Sequence, residues 1–191
     1  MTVLGITGRA GSGKSFAIDL IKTHYSFERI DLDEIGHLLL CEPSCKQEIQ
    51  AAFGEEVLGE NGEINRSQLG KIVFASDSDL AILNSIVHPK MKSYVEALLA
   101  EKKGTLLIIV GALIQEIELS SYCDHLICID ATDEAIQQYA GDKQYHIATN
   151  CQRSRSAYQT ACDHVIVNAF DGAFKQSLLT LLKVIVKDPK N

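Results

Sequence analysis

Gly8-Arg9-Ala10-Gly11-Ser12-Gly13-Lys14-Ser15 is the stretch on which the reading of this chain turns. It fits G-x-x-x-x-G-K-[ST] at every fixed position, and its flanks are those the pattern requires. Ahead of it, Val3-Leu4-Gly5-Ile6-Thr7 is uncharged and largely β-branched, the composition of a short buried strand. Behind it, from Lys14 to about His24, the apolar Phe16, Ala17, Leu20 and Ile21 fall on one helical stripe. Glycines let a backbone turn tightly and bring successive N–H groups close to phosphate oxygens, where a Cβ would collide. The helix that follows aims its positive end at the same anion. Lys14 is therefore expected to reach the β- and γ-phosphates of a nucleoside triphosphate, and the Ser15 hydroxyl to hold Mg²⁺. Gly8, Gly11, Ser12, Gly13 and Phe16 complete the local nucleotide-binding set. The bland alternative is a turn that only joins a strand to a helix. The glycine order differs from G-x-G-x-x-G, which disfavours a hydride-transfer dinucleotide.

Working outward, Phe27 to Asp31 reads as a second strand. From Asp33 to Lys102 the pattern is mostly helical, with breaks expected at Pro43, Gly54, the Gly59–Gly62 turn and Pro89. Thr105 to Val110 is a continuous apolar run ended by Gly111, the mark of a strand covered on both faces. His125 to Ile129 and His164 to Val167 are two more such runs, and Asp133 to Ala161 between them is polar and helical. An amphipathic helix spans Phe170 to about Val186. Five short apolar strands separated by helices imply an α/β fold with a parallel five-stranded sheet. The stretch between strands two and three exceeds one crossover helix and reads as an insertion. The expected organisation is a single domain: a core of 1–33 and 103–191, a helical substrate-binding insertion of 34–102, and a lid region of 133–160.

The composition limits the partners. The chain has 191 residues, 46% hydrophobic and 23% charged, with 25 acidic against 18 basic side chains and a net charge of −7. That is enough apolar material for a core, at roughly 100–200 residues per domain. Without a basic run the chain lacks the cationic face that phosphate backbones need, so nucleic acid is not the expected partner. No apolar run approaches the roughly 20 residues of a membrane span, and no signal peptide is visible, so a cytoplasmic residence without membrane partners is expected. The six cysteines contain no Cys-x-x-Cys pair and read as reduced thiols, with Cys128 a small hydrophobe in an apolar run.

Asp31-Leu32-Asp33-Glu34 lies where the second strand gives way to a helix. Ligands of open α/β sheets bind outside the carboxyl ends of the strands, which puts these acids on the side of the phosphate loop. Asp33 suits the orientation and deprotonation of an acceptor hydroxyl, and Asp31 suits Mg²⁺ through water or support of the loop. The competing reading is an N-cap that starts a helix at Glu34.

With these residues in view the chain resembles the dephospho-coenzyme A kinases. The resemblance runs from Ile6-Thr7-Gly8 through Ser15, then Ile30-Asp31-Leu32-Asp33, Phe53-Gly54, Asn61-Gly62-Glu63-Ile64-Asn65-Arg66, Leu69 and Val73-Phe74. It continues in Leu83 to His88-Pro89, Val110-Gly111-Ala112-Leu113 and Cys162-Asp163-His164-Val165-Ile166-Val167-Asn168, covering about residues 2 to 185. It implies a P-loop kinase with a nucleoside-monophosphate-kinase-like core, a helical substrate region and a lid. The implied reaction moves the γ-phosphate of ATP to the ribose 3′-hydroxyl of dephospho-coenzyme A, the small-molecule substrate. It implies that Asp33 and Lys14 are catalytic, that Asn168 and Arg155 belong to the nucleotide site, and that Asp31, Arg66 and His88 bind substrate. For Arg66 a surface ion pair, and for His88 a place at a helix boundary or in the core, stand beside those roles.

Departures from the pattern cluster in the lid. Gln138 and Asp142 stand where the family carries arginines. Lys143, Arg153 and Arg155 are the neighbouring cations, with Gln152 and Arg155 matching Q-x-x-R on one face of a helix. Gly70 replaces a basic residue, Arg9 a glycine and Phe16 a threonine. Two other functions therefore stand beside the first: a degenerate relative that binds nucleotide or coenzyme A with little turnover, and a P-loop kinase for another small acceptor.

Overall fold

The structure is a computed structural model that describes residues 1–102, 104 and 106–186. The described chain divides into two compact units, Met1–Asp31 with Lys102–Asn191, and Leu32–Glu101.

The first unit is built on a five-stranded parallel sheet: β1 (Thr2–Thr7), β2 (Glu28–Asp31), β3 (Leu106–Val110), β4 (His125–Asp130) and β5 (His164–Val167), in the order β2-β3-β1-β4-β5. The third apolar run is strand as expected, except that Thr105 lies outside the described residues. The uninterrupted runs are explained by burial on both faces: all five residues of β3 are buried, as are five of the six in β1. Leu4, Ile6, Ile108, Ile127 and Ile129 pack with Ile21 of α1 (Lys14–Lys22) and with Phe174, Leu178 and Leu182 of α9 (Gly172–Ile185) in one core. Central β1 sends its successor to one side, towards β2 and β3, while β4 and β5 lie on the other. The loop after β1 therefore occupies the switch point of the sheet, where such folds bind ligands.

The second unit is helical. Within it α2 (Leu32–Cys41), α3 (Pro43–Phe53) and α4 (Arg66–Val73) pack on α5 (Asp77–Glu101), burying Leu32, Ile35, Leu39, Ile49, Leu69, Val87, Met91 and Val95. Pro43 opens α3 as its first residue, Gly54 closes it with φ 81°, and the Asn65 side chain caps α4 by accepting from the Ser67 and Gln68 N–H groups.

Three expectations need correction. Pro89 does not break the helix: α5 runs 25 residues through it. Proline removes one N–H, and the carbonyl it would have served, that of Ser85, sits on an exposed residue where water can replace it. Meanwhile Val87, Met91 and Val95 keep the buried face continuous. The helix after β2 starts at Leu32 rather than Glu34, so Asp33 lies in its first turn and is not a cap. Finally, the polar stretch after β4 is not one helix. It is α6 (Asp133–Ala140), α7 (Asp142–His146), a π-turn at Ile147–Cys151 and α8 (Arg155–Thr160). Gly141 interrupts it with φ 87°, and Gln152 is extended at φ −123°, ψ 169°. Gln152 and Arg155 thus do not share a helical face.

Candidate functional site

β1 ends at Thr7, fully buried, and the loop from Gly8 to Gly13 leads directly into α1. Gly13 caps that helix at φ 102°, a left-handed backbone that an L side chain resists, and a Cβ there would run into Asn168 Nδ2. That amide is the loop's main strut. Asn168, 3% exposed at the end of β5, donates from Nδ2 to the Ser12 carbonyl at 2.9 Å. Its Oδ1 accepts from the Phe170 N–H at 2.9 Å, and its own N–H donates to the Asp130 carbonyl at 2.7 Å. Asn168 therefore joins the loop, β4 and β5 at one point. Phe170 holds a left-handed φ of 58° and stacks on Tyr139 of α6, ring centroids 4.7 Å apart.

Lys14 folds back over the loop, its Nζ donating to the carbonyls of Gly8 at 2.8 Å and Arg9 at 3.0 Å. Ser15 follows it in the first turn of α1 with an exposed side chain, and Phe16 is 55% exposed with its ring 5.8 Å from that of Phe174. Two buried hydroxyls, Ser12 Oγ and Thr7 Oγ1, find no hydrogen-bond partner among the described residues. Orphaned donors beside a glycine loop and a helix N-terminus are chemically suited to an anion. For a magnesium ion the fit is of another kind. No group of three His, Cys, Asp or Glu suited to a metal occurs among the described residues, so a protein cage is lacking. A hydroxyl such as that of Ser15, with phosphate oxygens and water, is the hard-oxygen set that Mg²⁺ accepts.

The segments after β4 close over this loop. A Cβ at Gly11 would lie 2.8 Å from the Ala140 Cβ and 2.9 Å from Ile136 Cγ2, so α6 rests directly on the loop. Gln152 Oε1 accepts from the Ala10 N–H at 2.7 Å. Arg9 is 5% exposed; its guanidinium donates to the Ala131 carbonyl at 2.8 Å and pairs with Asp133 at 2.6 Å. Arg155 makes a two-pronged pair with buried Asp130 at the end of β4, Nε to Oδ1 at 2.8 Å and Nη2 to Oδ2 at 2.6 Å. Gln159 donates to the same carboxylate at 3.0 Å. The bond to Asp130 strengthens the hold of Arg155 on its proton. In the position expected for a lid cation, Asp142 instead accepts from Gln137 Nε2 at 3.3 Å.

The structure thus brings Gly8, Gly11, Ser12, Gly13, Lys14, Ser15, Asn168 and Arg155 into one region of the first unit. Asp31 ends β2 and pairs with Arg29 at 3.6 Å. Asp33, Arg66 and His88 belong to the helical unit, on α2, α4 and α5. Arg66 is exposed, whereas His88 is half-buried, its Nε2 without a hydrogen-bond partner among the described residues. Burial holds the His88 imidazole below its ordinary protonation range. Sequence reasoning missed the anchoring by Asp130 and Gln159. An acid at the carboxyl end of a strand is the same signal that drew attention to Asp31.

The comparisons with known proteins accord with this geometry. A family model described as dephospho-CoA kinase matches residues 2–170. A dephospho-CoA kinase of Borrelia garinii subsp. bavariensis is 36% identical over 129 residues, spanning 68% of this chain but only 62% of that protein. One from Thermobifida fusca is 34% identical over 178 residues, 88% of each. A solved Thermus thermophilus protein superposes with a TM-score of 0.77 at 21% identity, covering 100% of this chain and 98% of that one, a likeness of fold. The family match begins with β1 and takes in the phosphate loop, the helical unit, the segments from α6 to α8 and β5: the chain belongs to the dephospho-CoA kinase family.

Proposed function

We propose that this protein transfers the γ-phosphoryl group of ATP to the ribose 3′-hydroxyl of dephospho-coenzyme A, giving ADP and coenzyme A. The observation that carries the reading is the loop from Gly8 to Ser15, with its orphaned hydroxyls, its left-handed Gly13 and its strut from Asn168, in a chain of this family. Its N–H groups and the α1 N-terminus would grip the triphosphate tail. Lys14 would exchange the Gly8 and Arg9 carbonyls for β- and γ-phosphate oxygens, a charge-assisted contact stronger than the neutral ones it leaves. Magnesium held at Ser15 would supply neutralisation of the developing phosphate charge.

Asp33, in the first turn of α2, would orient the acceptor hydroxyl and take its proton as the new O–P bond forms and the β–γ bridging bond breaks. The helical unit, with Arg66 and His88, would hold the rest of the acceptor, and α6 to α8 would act as lid. The protein would reside in the cytoplasm, a reading supported by the family and by six free cysteines, which suit a reducing compartment.

A second reading has its own support. Arg155 is committed to Asp130, and Asp142 carries the wrong charge for the transition state, which favours a protein that binds nucleotide and turns it over poorly. Purified protein with ATP, Mg²⁺ and dephospho-coenzyme A, followed by product mass, separates the two. A phosphorylated product with one ADP per transfer supports the kinase. No product at micromolar enzyme, with a thermal shift on adding ATP, supports the binder. Product from another acceptor alone refutes the proposed substrate.

A further inference from the structure

We propose that His125 and His164 form a two-imidazole chelate for a zinc ion, at the end of the sheet away from the phosphate loop. His125 opens β4 and His164 opens β5, which are adjacent parallel strands, and both residues are half-buried, within reach of solvent. Asp130, which anchors Arg155, closes β4 at its other end. At about 3.3 Å per residue, the length of that strand puts about 17 Å between the histidine pair and Asp130. The pair is therefore separate from the proposed nucleotide site.

The geometry selects the ion. His164 Nε2 and His125 Nδ1 lie 3.4 Å apart, with the ring centroids 5.4 Å apart and the rings tilted by 41°. As a hydrogen bond that separation is long, since N–H donors sit about 2.7–3.2 Å from an oxygen acceptor. As the bite of a chelate it fits. Two nitrogens each about 2.0–2.1 Å from a tetrahedral ion stand about 3.3–3.4 Å apart. The right angle of a square-planar or octahedral site would bring them to about 2.8–3.0 Å, which disfavours copper and nickel. Each ring would bind through the nitrogen named and keep its proton on the other, Nε2 of His125 and Nδ1 of His164.

The backbone that presents the rings is clamped on both sides. Asp163 donates its N–H to the Leu126 carbonyl at 3.0 Å, and its carboxylate accepts from the Leu126 N–H at 2.7 Å. That double bond joins the residue after His125 to the residue before His164. On the other flank, the Asp124 carboxylate accepts from the Val3 N–H at 2.7 Å. A pair of ligands already held at the right separation loses little freedom when an ion arrives. Both neighbouring aspartates are engaged with strand N–H groups. No group of three His, Cys, Asp or Glu suited to a metal occurs among the described residues, so water takes the two remaining positions. Zinc there would tie β4 to β5 through their side chains as well as their ladder.

The test titrates full-length, untagged protein with zinc sulfate in a calorimeter, without nucleotide. Wild type and His146→Ala, which removes an unrelated histidine, should each bind one equivalent. His125→Ala and His164→Ala should each bind at least about tenfold more weakly. A measurement on isotopically labelled wild type keeps the question open to refutation should either variant fail to fold. Zinc should move the ring NMR signals of His125 and His164 and leave those of the other four histidines in place. Cobalt(II) in place of zinc should give the intense visible absorption of a four-coordinate ion. No binding by wild type, undiminished binding in both histidine variants, or shifts confined to other histidines would overturn the chelate. So would the weak absorption of a six-coordinate cobalt ion, or a thiolate charge-transfer band, which would place the metal on cysteine.

Discussion

Replacing Asn168 with alanine should loosen the phosphate loop while leaving Lys14, Ser15 and the loop's own N–H groups in place. The backbone bond from residue 168 to the Asp130 carbonyl survives, because alanine keeps its N–H. Two partners lose theirs: the buried Ser12 carbonyl at 2.9 Å and the half-buried Phe170 N–H at 2.9 Å. A buried polar group left unsatisfied costs about 1–3 kcal/mol, and the half-buried Phe170 N–H about 1 kcal/mol, so the pair together forfeits about 2–4 kcal/mol. Relief of the left-handed Phe170 backbone returns about 1 kcal/mol once its N–H is no longer held, leaving a net loss of about 1–3 kcal/mol. Urea unfolding reads the stability, and calorimetric titration with ATP reads the loop, where affinity should fall by at least about tenfold. Asn168→Asp keeps an acceptor for Phe170 but turns a carboxylate towards the Ser12 carbonyl, and should do no better than alanine. An alanine variant within about 0.5 kcal/mol of wild type, binding ATP equally well, would refute the strut.

Two further outcomes are expected. Gly13→Ala forces a Cβ into a backbone at φ 102° and against Asn168 Nδ2, so it should lose about 2–3 kcal/mol in urea unfolding and most of its ATP affinity. For His88, burial lowers the folded-state protonation midpoint, so the unfolded chain takes up a proton first as pH falls. Its contribution to stability is present above an unfolded midpoint of about 6.5 and is lost as pH drops through that value towards the folded one. His88→Leu should therefore flatten the acid limb of stability against pH while changing little at pH of about 8, as read from urea midpoints across that range.

The sheet was legible because its strands are buried on both faces: a run such as Leu106 to Val110 has no polar face that would confuse it with a surface helix. The phosphate loop was legible because Gly11 and Gly13 answer a local constraint, left-handed backbone at φ 75° and 102°. Pro89 misled because proline's local cost was outweighed by burial along α5, a tertiary effect no local pattern contains. The stretch expected as a lid misled for a related reason. Whether Arg155 faces a phosphate or Asp130 depends on a partner 25 residues away, and spacing alone pairs it with Gln152. Likewise Gln152 looked like a helix-face residue, yet its extended backbone lets it cap the Ala10 N–H, 142 residues distant in the chain.

The loop from Gly8 to Ser15 is expected to grip a triphosphate through its amides and Lys14. Calorimetric titration of Mg·ATP into wild type and into Lys14→Ala tests it directly. The wild type should bind one equivalent, and the variant should bind at least about tenfold more weakly, while unfolding at the same urea concentration. Equal affinity in the two proteins, or no binding in either, would contradict it.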